Sequence, residues 1–120
     1  MEEHTVLIVD DNSALRSVLH SYLSRVGEWD VVLTAADAGS GLRLAAEHEP
    51  AAIVLDNRMP GGDGIEVLSD LRRACPASRI VMHTSEDTID LRDEAARLGA
   101  DAIVAKGRPL DELVAVLSVA

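Results

Sequence analysis

The sequence predicts an α/β domain, a doubly wound sheet of five parallel strands with helices on both faces. Five short apolar runs alternate with five segments whose apolar residues recur at helical spacing. The runs are continuous rather than alternating, as strands buried on both faces require. Neighbouring strands of one direction need crossover connections, and the intervening helical segments supply them.

Val6–Val9 reads as the first strand, and Asn12 or Ser13 can cap the helix that follows. Leu15, Val18, Leu19, Tyr22, Leu23 and Val26 mark its apolar stripe, and Gly27 ends it. Val31–Ala35 is the second strand. A helix from about Ala38 to Glu47 offers Leu42, Leu44, Ala45 and Ala46 for packing, and Pro50 prevents its continuation. Ala52–Leu55 is the third strand, followed by a turn rich in Pro and Gly and a helix near Gly64–Ala74 that buries Ile65, Val67, Leu68 and Leu71. Arg79–His83 is the fourth strand. Asp87 or Thr88 caps a helix with Ile89, Leu91, Ala95 and Leu98 on its stripe, closed by Gly99. Ala102–Ala105 is the fifth strand, and a last helix begins near Pro109 and carries Leu110, Leu113, Val116 and Leu117.

The chain of 120 residues suits one domain, and it shows no linker, repeat or low-complexity segment. With only Tyr22 and Trp29 as aromatics and no Phe, the core must be built from Leu, Val, Ile and Ala. Asp and Glu total 21 against 11 Lys and Arg, a net charge of −10. Such a surface repels phosphate backbones, so direct nucleic-acid binding is not expected. Cys75 stands alone and fits a reducing compartment as a small residue near a helix end. The acidic start Met1–Glu2–Glu3–His4 is not expected to act as a signal peptide, and no apolar run approaches the ~20 residues of a membrane span. The expected location is the cytoplasm, with no membrane partner.

In an open sheet of this kind, ligands sit beyond the carboxyl ends of the strands. Asp10 and Asp11 end the first strand, Asp56 the third, Thr84 and Ser85 the fourth, and Lys106 the fifth. The second ends in Ala35–Ala36, as an outer strand would. Taken singly, each residue has a plain reading, since Asp favours caps and turns and Lys is ordinarily solvated. Together on one edge they make a set with its own chemistry. Three carboxylates form a hard oxygen ligand set suited to Mg²⁺, or to Mn²⁺ in its place. A cation there would keep Asp56 ionised and offset charge on an incoming phosphoryl group. A carboxylate oxygen could then attack in line and become an acyl phosphate. Lys106 supplies a point charge and Thr84 a hydroxyl. Gly61, Gly62 and Gly64 let the loop after Asp56 turn tightly.

The acidic pair, the stretch Asp56–Asn57–Arg58–Met59–Pro60–Gly61–Gly62–Asp63–Gly64, Thr84 and Lys106 occur in an order that resembles the receiver domain of two-component response regulators. The likeness extends over residues 1–120 and implies a flavodoxin-like (βα)5 sheet in the order 2-1-3-4-5. It implies that Asp56 is the phosphoacceptor, forming an aspartyl phosphate, and that Asp10 and Asp11 are the acidic metal pair, with Asp11 the more direct ligand. The backbone carbonyl of Arg58 would complete the protein's metal ligands. Thr84 would be the switch hydroxyl and Lys106 the phosphoryl partner. The donor would be a phosphohistidine on a sensor histidine kinase or phosphotransfer protein. No separate substrate is implied, so the domain is read as a switch rather than an enzyme. Its output would pass through the fourth helix, fifth strand and fifth helix, to a partner or a second copy.

Three departures from that pattern matter. Ile103 stands where the family usually has an aromatic coupled to the Thr, so any response there must be a packing change. Lys106 is followed by Gly107–Arg108–Pro109, so a proline bond directly after the lysine does not exist here. Ser85 adds a hydroxyl where alanine is common.

Arg58, two residues after Asp56, and Glu86, two after Thr84, are placed to flank the entrance. A pair across it would hinder the hydrolytic water and lengthen the phosphorylated lifetime, the alternative being two independent solvated side chains. His83 should point to the opposite face from Thr84. His4, His20 and His48 share no ligand spacing. Two competing functions are a scaffold that is never phosphorylated and an Mg²⁺-dependent phosphatase of the haloacid-dehalogenase type. The latter expects an Asp where Arg58 stands, and a substrate-covering cap that this chain is too short to form.

Overall fold

A computed structural model describes residues 4–118. Its elements follow the expected alternation: β1 Thr5–Val9, α1 Ser13–Arg25, β2 Val31–Ala35, α2 Ala38–His48, β3 Ala52–Leu55, α3 Gly64–Ala74, β4 Arg79–Thr84, α4 Ile89–Leu98, β5 Ala102–Ala105 and α5 Leu110–Leu117. All strand pairs are parallel, and the sheet order is β2-β1-β3-β4-β5. The doubly wound arrangement expected from the sequence is therefore observed.

Alternation along each strand divides the core in two. Leu7, Val9, Ile53, Leu55, Ile80 and Met82 pack with Ala45 of α2, Val67, Leu68 and Leu71 of α3, and Ala95 of α4. Val6, Ile8, Val54, Val81 and Val104 pack with Leu19 and Leu23 of α1, Leu113 and Leu117 of α5, and Trp29. Two helices thus cover one face and three the other.

Local chemistry explains the helix ends. Asn12, Asp37 and Thr88 each accept the backbone N–H of the residue three further on, at 3.0, 2.7 and 3.1 Å, and so cap α1, α2 and α4. Between the alternatives named for α4, Thr88 is the cap, while Asp87 pairs with Arg92. The last helix begins at Leu110, and Pro109 precedes it with extended ψ. Before Pro50, Glu49 adopts a left-handed φ of 44° and closes α2.

Some packing expectations are corrected. Val18 is 51% exposed and Ile89 77% exposed, and Val26 and Ala46 face solvent too, so none of them belongs to a buried stripe. α1 buries Leu19 and Leu23, and of α4 only Ala95 is fully covered. β4 also runs one residue further than expected and includes Thr84.

Candidate functional site

The parallel ladder continues one bond past the strand ends, and that continuation builds the site. Asp10 N–H donates to the Ala35 carbonyl at 3.1 Å, Asp56 N–H to Val9 at 2.9 Å, and Lys106 N–H to Thr84 at 2.8 Å. Asp10, Asp56 and Lys106 each lie two residues beyond an inward residue of the α1/α5 face: Ile8, Val54 and Val104. Strand alternation therefore sends the three side chains to the same side of the sheet edge. There the Lys106 ammonium lies 3.1 Å from Asp56 Oδ1 and 3.3 Å from Asp10 Oδ2.

The cluster is partly dry. Asp10 is 2% exposed and Asp56 4%, whereas Asp11 faces solvent. Burial pushes the Asp56 carboxyl above the ordinary aspartate value; the Lys106 hydrogen bond opposes this, and the Asp10 charge adds to it. Burial works against the Lys106 ammonium too, but its bond to Asp56 and the charges of Asp10 and Asp56 outweigh that and raise its pKa.

Candidate ligand atoms of Asp10, Asp11 and Asp56 all lie within 4.8 Å of one another. Three carboxylates against one ammonium leave a deficit that a divalent cation would match, and the donors are all hard oxygens, so the residues fit Mg²⁺ or Mn²⁺. Asp10 has both oxygens engaged, one by Asn12 N–H at 2.9 Å and the other by Lys106. That leaves Asp11 and Asp56 as the more available first ligands. A cleft of ≈ 710 Å³ lined by Asp11, Asp37, Pro60 and Gly61 opens beside them.

Gly64 is required by the turn that presents Asp56. A Cβ there would lie 2.1 Å from the Asp56 carbonyl oxygen, too close for any side chain. Its N–H donates to the Asn57 carbonyl at 2.7 Å. Thr84 is buried at the end of the neighbouring strand, and its Oγ1 accepts the Glu86 N–H at 3.1 Å. Arg58 and Glu86 do pair: Nε donates to Oε1 at 2.5 Å and Nη2 to Oε2 at 2.7 Å. Ile103 lies half-buried on β5 opposite Met82, against the α2–α4 side of the core. His83 is buried on the other side from Thr84, as alternation predicts, and its Nδ1 has no partner among the described residues. Burial, and then the nearby Lys106 charge, lower its pKa to about 4.

Two contributors were not singled out from sequence. Arg16 Nη1 donates to the Asp10 carbonyl at 2.8 Å and so fixes the backbone that carries the acidic pair. Asn57 is buried beside Asp56; its Oδ1 accepts the Ile65 N–H at 3.0 Å, and its Nδ2 donates to Glu86 at 3.4 Å. The available signal for Asn57 was its place directly after the carboxylate that ends the third strand. Arg16, beside the apolar stripe of α1, gave none.

Comparison with known proteins agrees with this geometry. Residues 6–118 match the model of the response regulator receiver domain. The chain is 38% identical over 110 residues to the transcriptional regulatory protein AfsQ1 of Streptomyces coelicolor, covering 89% of this chain and 48% of that protein. It is 36% identical over 115 residues to the transcriptional regulatory protein KdpE of Mycobacterium tuberculosis, covering 96% and 50%. The chain thus spans about half the length of these curated relatives. A Burkholderia pseudomallei response regulator, solved with a phosphorylated aspartic acid and a calcium ion, superposes with a TM-score of 0.90 at 26% identity, covering 98% of this chain and 68% of that one. The chemotaxis protein CheY4 of Vibrio cholerae gives 0.87 at 27% identity, covering 96% of each chain. The order of the sheet, the acidic cluster at its carboxyl edge and these matches lead to one assignment: the chain belongs to the receiver domain family of two-component response regulators.

Proposed function

We propose that residues 1–120 form one phosphorylation-dependent signalling switch, with Asp56 as the phosphoacceptor. The observation that carries this reading is the convergence of Asp10, Asp11, Asp56 and Lys106 at one sheet edge. An Asp56 carboxylate oxygen attacks the phosphorus of a phosphohistidine on a sensor kinase or phosphotransfer protein. The O–P bond forms, the P–N bond breaks, and the imidazole leaves and takes up a proton. Asp10, Asp11, Asp56 and the Arg58 backbone carbonyl would hold Mg²⁺, which when bound offsets the charge gathered on the carboxylate and phosphoryl oxygens. Lys106, already 3.1 Å from Asp56, then pairs with the transferred group, and Thr84 donates its hydroxyl to it. The phosphorylated relative from Burkholderia, with its calcium ion, supports this assignment of roles.

The response would pass to the surface of α4, β5 and α5, with Ile103 repacking in place of a turning ring, and bias binding of a partner or a second copy. Charged residues dominate α4, so a contact there is polar, apart from exposed Ile89. Among the described residues no helix is long and apolar enough to cross a membrane, and we place the domain in the cytoplasm. The Arg58–Glu86 pair lies between the loops that flank Asp56, and it would screen the acyl phosphate from water. Incubation with acetyl phosphate and Mg²⁺, read by intact mass, should add one phosphoryl group to the wild type and none to Asp56→Asn. No gain in either would leave a constitutive scaffold, and turnover of a free phosphomonoester would indicate a phosphatase.

A further inference from the structure

The Thr84 hydroxyl is tied into a chain of contacts that runs through Glu86 to the residues just after Asp56. Its Oγ1, at the end of β4, accepts the N–H of Glu86 in the loop that follows, at 3.1 Å. The Glu86 carboxylate is gripped by both Arg58 donors and by Asn57 Nδ2. Asn57 is itself buried and anchored to the first turn of α3 through the Ile65 N–H at 3.0 Å. The loop after β4 is therefore strapped, through Glu86, to the loop after β3.

We infer that Glu86, strapped by Arg58 and Asn57, is a positioning residue that sets the threshold of the Thr84 switch. This rests on the proposed role of Thr84 toward the phosphoryl group. When the hydroxyl turns to that group, the strapped Glu86 N–H cannot follow, and their hydrogen bond is lost. With the strap cut, the loop follows the hydroxyl and the bond is kept. One neutral hydrogen bond is worth about 1 kcal/mol, roughly a fivefold change in affinity.

The test is the affinity of the protein for beryllofluoride, a phosphoryl mimic, in the presence of Mg²⁺. Arg58→Ala and Glu86→Gln should each tighten it by about three- to fivefold, and the double variant no further. Plain electrostatics predicts opposite signs: losing Arg58 weakens an anion's binding and losing Glu86 strengthens it. Equal signs therefore mark the strap, and opposite signs overturn it. Both gains should vanish in a Thr84→Val background; their persistence there would equally overturn it. Amide exchange of the Glu86 N–H without any ligand gives an independent reading. Arg58→Ala should speed it severalfold, and unchanged exchange would refute the strap. Failure of the wild type to take up beryllofluoride would instead remove the proposed function, and the exchange result would still judge the strap.

Discussion

At the amino edge of the sheet a single guanidinium reaches several acceptors, whereas at the carboxyl edge two of three clustered carboxylates share a single ammonium. Arg72 donates to the Ser78 carbonyl at 2.7 Å, to the Gly99 carbonyl at 2.7 and 3.0 Å, and to Asp101 at 2.8 Å. Asp101 in turn accepts the Ile80 N–H at 2.8 Å. Gly99, at φ 120°, leaves room for the Arg72 stem where a Cβ would lie 2.9 Å away. At the other edge Lys106 meets Asp10 and Asp56, and Asp11 is left to solvent. Satisfied polar groups tie α3, β4 and the loop before β5 together at one end, and surplus negative charge waits at the other. If the carboxyl edge accepts the phosphoryl group as proposed, the fold keeps stability and reactivity at opposite ends of the same strands, where single substitutions can separate them.

The largest expected effect belongs to the carboxyl edge. Asp56→Asn should abolish labelling by acetyl phosphate while the protein stays folded, since the amide is nearly isosteric and removes a buried charge. Labelling that survives in this variant would move the acceptor elsewhere and dissolve the contrast between the edges. Arg72→Ala should do the reverse. Leaving the Ser78 and Gly99 carbonyls and Asp101 without their donor should cost roughly 3 kcal/mol in denaturant unfolding, with labelling by acetyl phosphate retained.

A buried residue beneath the reactive edge sharpens the comparison through pH. His83 is neutral in the fold, with a pKa near 4, while the unfolded chain takes up the proton near 6.5. The unfolded state binds more protons in that window, so stability is full above pH 6.5 and falls as pH drops toward 4. The loss between pH 7.5 and 5 should reach about 2 kcal/mol. His83→Leu should flatten that part of the profile and, by removing an unpartnered Nδ1, raise stability at neutral pH. An unchanged slope would show that other groups govern it.

Mg²⁺ should bind at one edge only. At tenfold excess over its dissociation constant it should raise stability by about 1.4 kcal/mol, and Asp11→Asn should remove most of that gain without altering the metal-free protein. Thermal unfolding with and without the cation measures both.

How much of this was legible in the chain depends on what each signal encodes. Continuous apolar runs such as Val6–Val9 and Ala52–Leu55 admit few readings other than buried strands, and the residue that follows such a run is then fixed at an edge. That is why Asp10, Asp56 and Lys106 could be brought together from sequence. Helical spacing says which residues share a face but not where the buried part of it ends, and so Val18 and Ile89 were assigned to the core though they are exposed. Arg72 was illegible for a different reason. An arginine in the last turn of a helix ordinarily complements the helix dipole or faces water, and nothing local shows that Gly99 and Asp101, distant in sequence, will meet it. Arg58 and Glu86 were legible because each stands two residues after a strand-end site residue. Asn57 offered only its place after Asp56, since its importance lies in the partners on both sides of it.

The smallest expected effect concerns the screen over the reactive edge. The Arg58 side chain is 70% exposed and that of Glu86 34% exposed, so the pair is weak by location even though its geometry is bidentate. Exposed pairs contribute little, which keeps the change in rate to a few fold. Arg58→Ala should therefore speed loss of the phosphoryl group from Asp56 by two- to fivefold, followed by intact mass after the donor is removed. Raising salt should speed the wild type toward the variant, because screening weakens the same exposed pair, and should leave the variant nearly unchanged. Affinity for a phosphoryl mimic reports how readily Thr84 is recruited, and decay of the acyl phosphate reports how water reaches it. One substitution can then move both by different factors, and a slower or unchanged decay in Arg58→Ala would show that this pair holds the loop without shielding the bond.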